Sequence, residues 1–224
     1  SPLPAAPPDR RDRPPCYSLA AEWRSLFSSL EEQVSRIDPR ILADLKRERL
    51  LQEGHWSFLH GGHSSGLIDR DHLLSDPVAA AHMAYAIAKE FFTDHIQTVA
   101  TPSIWGAGLA LLVGGFLDPK AKVAHATPSP EGPRIAPQIE DLVRHKRILL
   151  VDNMVRSGET MAGFRDQVEA LGGEVIGIAT LWNLGEPVVG ALPVFGLLNS
   201  EYAVYQNGDC PLCAAGSQAE PAPY

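Results

Sequence analysis

With 224 residues, 45% of them hydrophobic, the chain can bury one good core and is most simply a single domain. A formal net charge of −8 and a pI near 5.4 argue against broad electrostatic binding to nucleic acid or to an anionic membrane. Apolar runs such as Leu109 to Val113 fall well short of the roughly 20 residues that span a bilayer, no charged-then-apolar leader opens the chain, and three cysteines make no disulfide framework, so a soluble cytoplasmic protein is expected.

Residues 1–15 hold six prolines and the charged run Asp9 to Arg13, a composition that predicts a disordered tail. Leu19, Trp23, Leu26, Phe27, Leu30, Val34 and Ile37 repeat at helical spacing, and Asp38-Pro39 caps a second helix. Strand-like stretches at Trp56 to Leu59 and Leu67-Ile68 flank the turn Gly61-Gly62. Asp76-Pro77 starts a helix with Ala80, Ala84, Ile87 and Phe91 along one side. A strand at 96–100, a helix from Gly106 to Leu117, a strand at 121–126 and a short helix from Ile139 to His145 follow.

Arg147 then launches an apolar strand that is read as stopping at Asp152, and the next helix ends near Leu171 at Gly172-Gly173. Strands at 175–182 and 194–198 complete the core, and 214–224 is read as a flexible tail. Strands separated by helices predict an α/β fold, a parallel sheet flanked by helices, with ligands beyond the carboxyl ends of the strands where Asp152 lies.

The junction Asp152-Asn153-Met154-Val155-Arg156-Ser157-Gly158-Glu159-Thr160 aims backbone amides and a helix N-terminus at one spot, which suits a phosphate. No P-loop or dinucleotide fingerprint is present. The plain alternative is a βα turn in which Gly158 serves the bend.

This segment resembles the phosphoribosyl-diphosphate (PRPP) motif of the type I phosphoribosyltransferases. The resemblance implies that Asp152 and Asn153 face the ribose while Arg156, Ser157, Gly158, Glu159 and Thr160 surround the 5-phosphate. Asn153 stands where the family has a second acid, and Arg156 where it usually has a small hydroxyl residue. The loop Thr101-Pro102-Ser103-Ile104-Trp105-Gly106-Ala107-Gly108 is similar to the family's pyrophosphate turn, giving Pro102, Ser103 and Gly106 that role. Trp105 stands about where a glycine is usual, and a helix entry packed by an indole is the competing reading.

His55 to Asp71 resembles the N-terminal hood of orotate phosphoribosyltransferases, which covers the base. By that resemblance Gly62, His63, Ser64 and the stretch Asp69 to Asp71 lie near the acceptor pocket. On chemistry alone the segment is a polar hairpin, and a zinc reading of His55, His60, His63 and His72 matches no familiar spacing. Cys210-Pro211-Leu212-Cys213 is similar to the ending of an orotate-phosphoribosyltransferase-like subgroup. Two cysteines two apart can share one metal, but a closed site needs four ligands, so histidines or a second subunit would have to help; a plain turn with two buried thiols is the simpler expectation.

The family architecture divides the chain into a hood at about 16–75 and a core at about 76–205 within one domain, 16–213. Its reaction displaces pyrophosphate from PRPP by a base nitrogen with Mg²⁺ assisting, in a homodimer whose mobile loop carries lysines. The corresponding segment, 127–138, has no lysine, four prolines and one arginine, Arg134. The resemblance thus implies Arg134 or Lys122 at the leaving group and Asp152 as ribose and Mg²⁺ ligand. Two functions are expected: phosphoribosyl transfer to orotate or a related base, or a catalytically inactive sensor or regulatory subunit binding PRPP or a nucleoside 5′-monophosphate.

Overall fold

The computed structural model describes residues 43–223, apart from positions 44, 48, 60, 118–120, 130–131, 185–187, 199–201, 203 and 207. The helix expected over Leu19 to Ile37, the cap at Asp38-Pro39, the tail at 1–15 and His60 lie outside the described residues.

Strand β1 (Leu51–Ser57) turns through Gly61 and Gly62, both at positive φ, into β2 (His63–Ile68). The two pair antiparallel with an irregularity between Glu53 and Trp56. Gly66 is held to a bare Cα by Tyr202, whose ring carbon Cδ1 lies 2.1 Å from where a Cβ would sit. Asp69 caps α1 (Arg70–Ser75), and Asp76 caps α2 (Pro77–Glu90), its carboxylate accepting the Val78 and Ala79 amides at 2.8 and 3.2 Å. Pro77 sits in the first turn, as the sequence predicts.

Strand β3 (Thr98–Thr101) runs into a 3-10 turn at Ile104–Gly106 and then α3 (Ala107–Leu117). The remaining elements are β4 (Lys122–Thr127), β5 (Arg134–Ile135), a 3-10 turn at Pro137–Leu142, β6 (Arg147–Val155), α4 (Glu159–Ala170), β7 (Glu174–Asn183), β8 (Val188–Val189), β9 (Leu192–Leu198), β10 (Val204–Tyr205), α5 (Pro211–Ala214) and β11 (Glu220–Pro221).

Seven strands form the main sheet in the order β5-β4-β3-β6-β7-β9-β8. The central five are parallel, and the two-residue strands β5 and β8 close the edges antiparallel. Alternation along β6 explains its unbroken apolar run. Leu149 and Val151 enter the core shared with α2, α3 and the hood, while Ile148 and Leu150 enter the core beneath α4 with Phe164, Val168 and Ile178. Burying each such side chain contributes about 1.5–3 kcal/mol, so the strand carrying the candidate site is among the most firmly anchored.

The second sheet has the order β10-β2-β1-β11 and forms the hood. Its two outer strands come from after residue 200, so the hood is not built from the N-terminal segment alone. The C-terminal tail expected from Ala214 is instead structured. Trp56 pairs with Glu220 and Ser57 with Pro221, the Ala222 amide donates to the Ser57 carbonyl at 2.8 Å, and Ala222 is buried. Hydrophobicity missed this strand because two residues are too short to show a period. No helix among the described residues is long and apolar enough to cross a membrane.

Candidate active site

A cleft of about 520 Å³ opens at the carboxyl end of β6, lined there by Asp152, Met154 and the loop Val155 to Gly158, with Thr160 and Met161 behind. Phe58, Leu59 and Arg70 close it from the hood, Trp105 from the turn after β3, and Pro223 from just beyond β11.

Strand β6 does not stop at the acid but continues to Val155. The continued alternation puts Asp152 and Met154 into the cleft and sends Asn153 the other way. Asn153 is buried, and its side-chain amide donates to the Trp105 carbonyl at 2.9 Å. Asn153 does not line the cleft, and its side chain ties the Trp105 turn to the strand. Its own backbone N–H donates to the Asp152 carboxylate at 2.8 Å.

Among the described residues Asp152 is the only carboxylate lining the cleft. Burial pushes its pKa up to about 6, against the opposing pull of the Asn153 amide, the positive Arg70 and a hydrogen bond to the Ser103 side chain. Packing around it is close. A Cβ on Gly106 would lie 2.2 Å from Thr101 Oγ1 and 3.0 Å from Asp152 Oδ1. Ser103 caps the 3-10 turn, its hydroxyl accepting the Gly106 amide at 3.3 Å. Pro102, Ser103 and Gly106 are not part of the cleft lining; Ser103 and Gly106 stand against Asp152. Only Trp105 of that loop reaches the cleft, with 77% of its surface exposed.

The loop after β6 is built as the sequence suggests. Gly158 takes φ 78° and serves as N-cap of α4, and a Cβ there would come within 2.7 Å of Val189 Cγ2. Having no side chain, Gly158 caps no amide, and the Ser157 hydroxyl takes the Glu159 N–H only at 3.4 Å. The first turn of α4 thus presents N–H groups without helical partners beside the exposed side chains of Arg156, Ser157 and Thr160. Glu159 is exposed but does not line the cleft, since helical geometry turns it from the side that Thr160 faces.

The hood residues singled out from sequence are placed elsewhere. Ser64 is fully buried, donating to the Tyr202 carbonyl at 3.1 Å. Asp69 accepts the His72 amide at 3.1 Å and pairs with its ring at 2.7 Å. Gly62 packs against Val204, and His63 meets His55 and Cys213. None lines the cleft; Arg70, inside the same stretch, does. Lys122 begins β4, level through Thr98 with Ile148, four residues and hence ~13 Å short of Asp152 along the sheet. It does not line the cleft. Arg134 pairs with Thr127 near the carboxyl edge, but three strand spacings from β6, ~14 Å to the side, and it does not line the cleft either.

A family model for the phosphoribosyl transferase domain matches residues 69–189, more than half the chain and all of the cleft's strand-loop-helix. The chain belongs to the type I phosphoribosyltransferases. Orotate phosphoribosyltransferase of Sulfurimonas denitrificans is 26% identical over 185 residues, covering 75% of this chain and 90% of the relative. That of Wolinella succinogenes is 29% identical over 190 residues, covering 77% and 91%. Among solved structures, orotate phosphoribosyltransferase from Aeropyrum pernix superposes with a TM-score of 0.55 at 18% identity, over 70% of this chain and 92% of that one. A phosphoribosyltransferase from Corynebacterium diphtheriae gives 0.55 at 18%, over 71% and 94%. Those likenesses place the mixed sheet and its helices in the phosphoribosyltransferase fold, a fold of transferase enzymes.

Proposed function

We propose that this phosphoribosyltransferase transfers the phosphoribosyl group of PRPP to orotate, releasing pyrophosphate. The observation that carries the reading is the joining, in one cleft, of Asp152, the uncapped first turn of α4 and the hood residues Phe58, Leu59 and Arg70. The α4 amides with the Ser157 and Thr160 hydroxyls bind the 5-phosphate, where the helix dipole favours negative charge. Asp152 accepts the ribose hydroxyls and fixes the sugar with its anomeric carbon toward the hood. Arg156 and Arg70 supply positive charge around a leaving group that gains charge as its bond to carbon breaks. Phe58, Leu59, Trp105 and Pro223 form an apolar wall for a planar base.

One carboxylate in the cleft fits a Mg²⁺ that takes most of its ligands from substrate oxygens and water. Asp152 would hold it, and the ion would neutralise pyrophosphate oxygens. We read the active form as a cytoplasmic homodimer on family resemblance, with Arg134 at the sheet edge serving the cleft of a second copy.

Calorimetric titration with PRPP, with and without Mg²⁺, followed by pyrophosphate release across a panel of bases, tests the proposal. Binding with release on orotate is expected. Binding with no release on any base would replace it with the inactive PRPP- or nucleotide-binding sensor.

A further inference from the structure

His55 of β1, His63 of β2, and Cys210 and Cys213 around α5 converge away from the cleft lining, their ligand atoms all within 4.8 Å of one another. His55 Nε2 stands 2.9 Å from His63 Nδ1, 3.5 Å from Cys210 Sγ and 3.6 Å from Cys213 Sγ, and Cys213 Sγ is 3.1 Å from His63 Nδ1. A tetrahedral zinc ion with Zn–N near 2.0 Å and Zn–S near 2.3 Å demands edges of about 3.3 Å between nitrogens and about 3.5 Å from nitrogen to sulfur. The observed edges differ from these by a few tenths of an ångström.

His55 Nδ1 lies 3.0 Å from the Ser217 carbonyl, which can only accept, so Nδ1 donates there and Nε2 is the atom that faces the cluster. Three polar atoms, from His63, Cys210 and Cys213, crowd that nitrogen in a place where His55 is 6% and Cys210 2% exposed. One cation at the centre joins all four groups. The Ser217 contact is also the second-shell bond that orients a metal-bound imidazole.

We propose that His55 Nε2, His63 Nδ1, Cys210 Sγ and Cys213 Sγ form a closed structural zinc site that clamps the C-terminal segment onto the hood. Two thiolates and two imidazoles select zinc over hard cations, and four protein ligands leave no open position for catalysis. Binding releases the two thiol protons to solvent. The clamp explains why a chain end of low hydrophobicity is ordered. It fixes residues 210–217, which deliver β11 to the edge of β1 and set Pro223 in the cleft wall. The sequence showed each half of this site separately, the histidine hairpin and the Cys-x-x-Cys, but nothing in their spacing said that a strand pairing would join them.

The test uses the full chain, its metal removed by a chelator under reducing conditions and then titrated with Zn²⁺ or Co²⁺ alone. Expected are one Zn²⁺ per chain by elemental analysis and, with Co²⁺, the intense visible bands of a tetrahedral ion together with thiolate charge transfer. Exchange of the Ala222 amide should slow on loading. Cys213→Ser, at an exposed position that folding tolerates, should weaken Zn²⁺ by roughly 100-fold or more and abolish the charge-transfer band, and His63→Ala should do the same from the other strand. Sub-stoichiometric metal in the wild type, or Cys213→Ser and His63→Ala binding Zn²⁺ as the wild type does, would overturn the proposal. These readouts need no PRPP, so they stand apart from the outcome for phosphoribosyl transfer.

Discussion

Asp152→Asn should stabilise the protein while impairing it. The carboxyl rises from its ordinary 3.8 to about 6 on folding, so the folded state disfavours the charged form. Below 3.8 the group is neutral in both states and costs nothing. Above about 6 it is charged in both, and the desolvation it suffers opposes folding in full. That cost is about 3 kcal/mol at pH 8 and about 1.6 kcal/mol at pH 5, so it relaxes as pH falls. Chemical denaturation of wild type and variant at both pH values reads the difference directly. Asp152→Asn should be the more stable by up to about 3 kcal/mol at pH 8, with the gap shrinking toward pH 5. In the proposed function the same charge accepts the ribose hydroxyls, so wild-type kcat/KM should rise with pH through about 6, and the variant should lack that limb and lose roughly 10- to 150-fold at pH 8. A variant no more stable than wild type at pH 8, with a parallel pH profile, would refute the reasoning.

Gly158→Ala forces a Cβ into a left-handed backbone and to within 2.7 Å of Val189; a loss of roughly 1–3 kcal/mol in denaturant melts is expected. Ser157→Asp places a carboxylate beside the α4 amides, and a unit-charge repulsion of about 4 kcal/mol at 4 Å in a surface-like dielectric should weaken ribose 5-phosphate by more than ~100-fold in calorimetry. Trp105→Ala removes an indole that is 77% exposed. Stability should change by less than about 0.5 kcal/mol, while the acceptor KM rises roughly 5- to 100-fold, the worth of one base-stacking contact.

Long apolar patterns made the core legible. The run Ile148 to Val151, the caps at Asp76 and the Gly172-Gly173 stop each announce an element through burial or backbone chemistry that needs no distant partner. The strand-loop-helix junction at Val155 to Thr160 was legible for the same reason, since its amides follow one another along the chain. Where the reading erred, the deciding contact was long-range. Asn153 leaves the site because β6 runs three residues beyond the acid, held by Met154 and Val155 pairing with Trp182 and Asn183. Lys122 leaves it because parallel pairing puts it at the wrong end of its strand. Ser64 and Asp69 are engaged by Tyr202 and His72 and do not line the cleft. Arg70 lay inside the stretch Asp69 to Asp71 read as near the acceptor pocket, and it is the member of that stretch that lines the cleft.

The central claim is that a sugar phosphate docks on the amides at the start of α4. Backbone amide resonances followed during titration with ribose 5-phosphate test it most directly. The account predicts saturable shifts at Ser157 to Thr160, with those of Lys122 and the buried Ser64 unmoved. Saturation elsewhere on the protein with the 157–160 amides unchanged would contradict it.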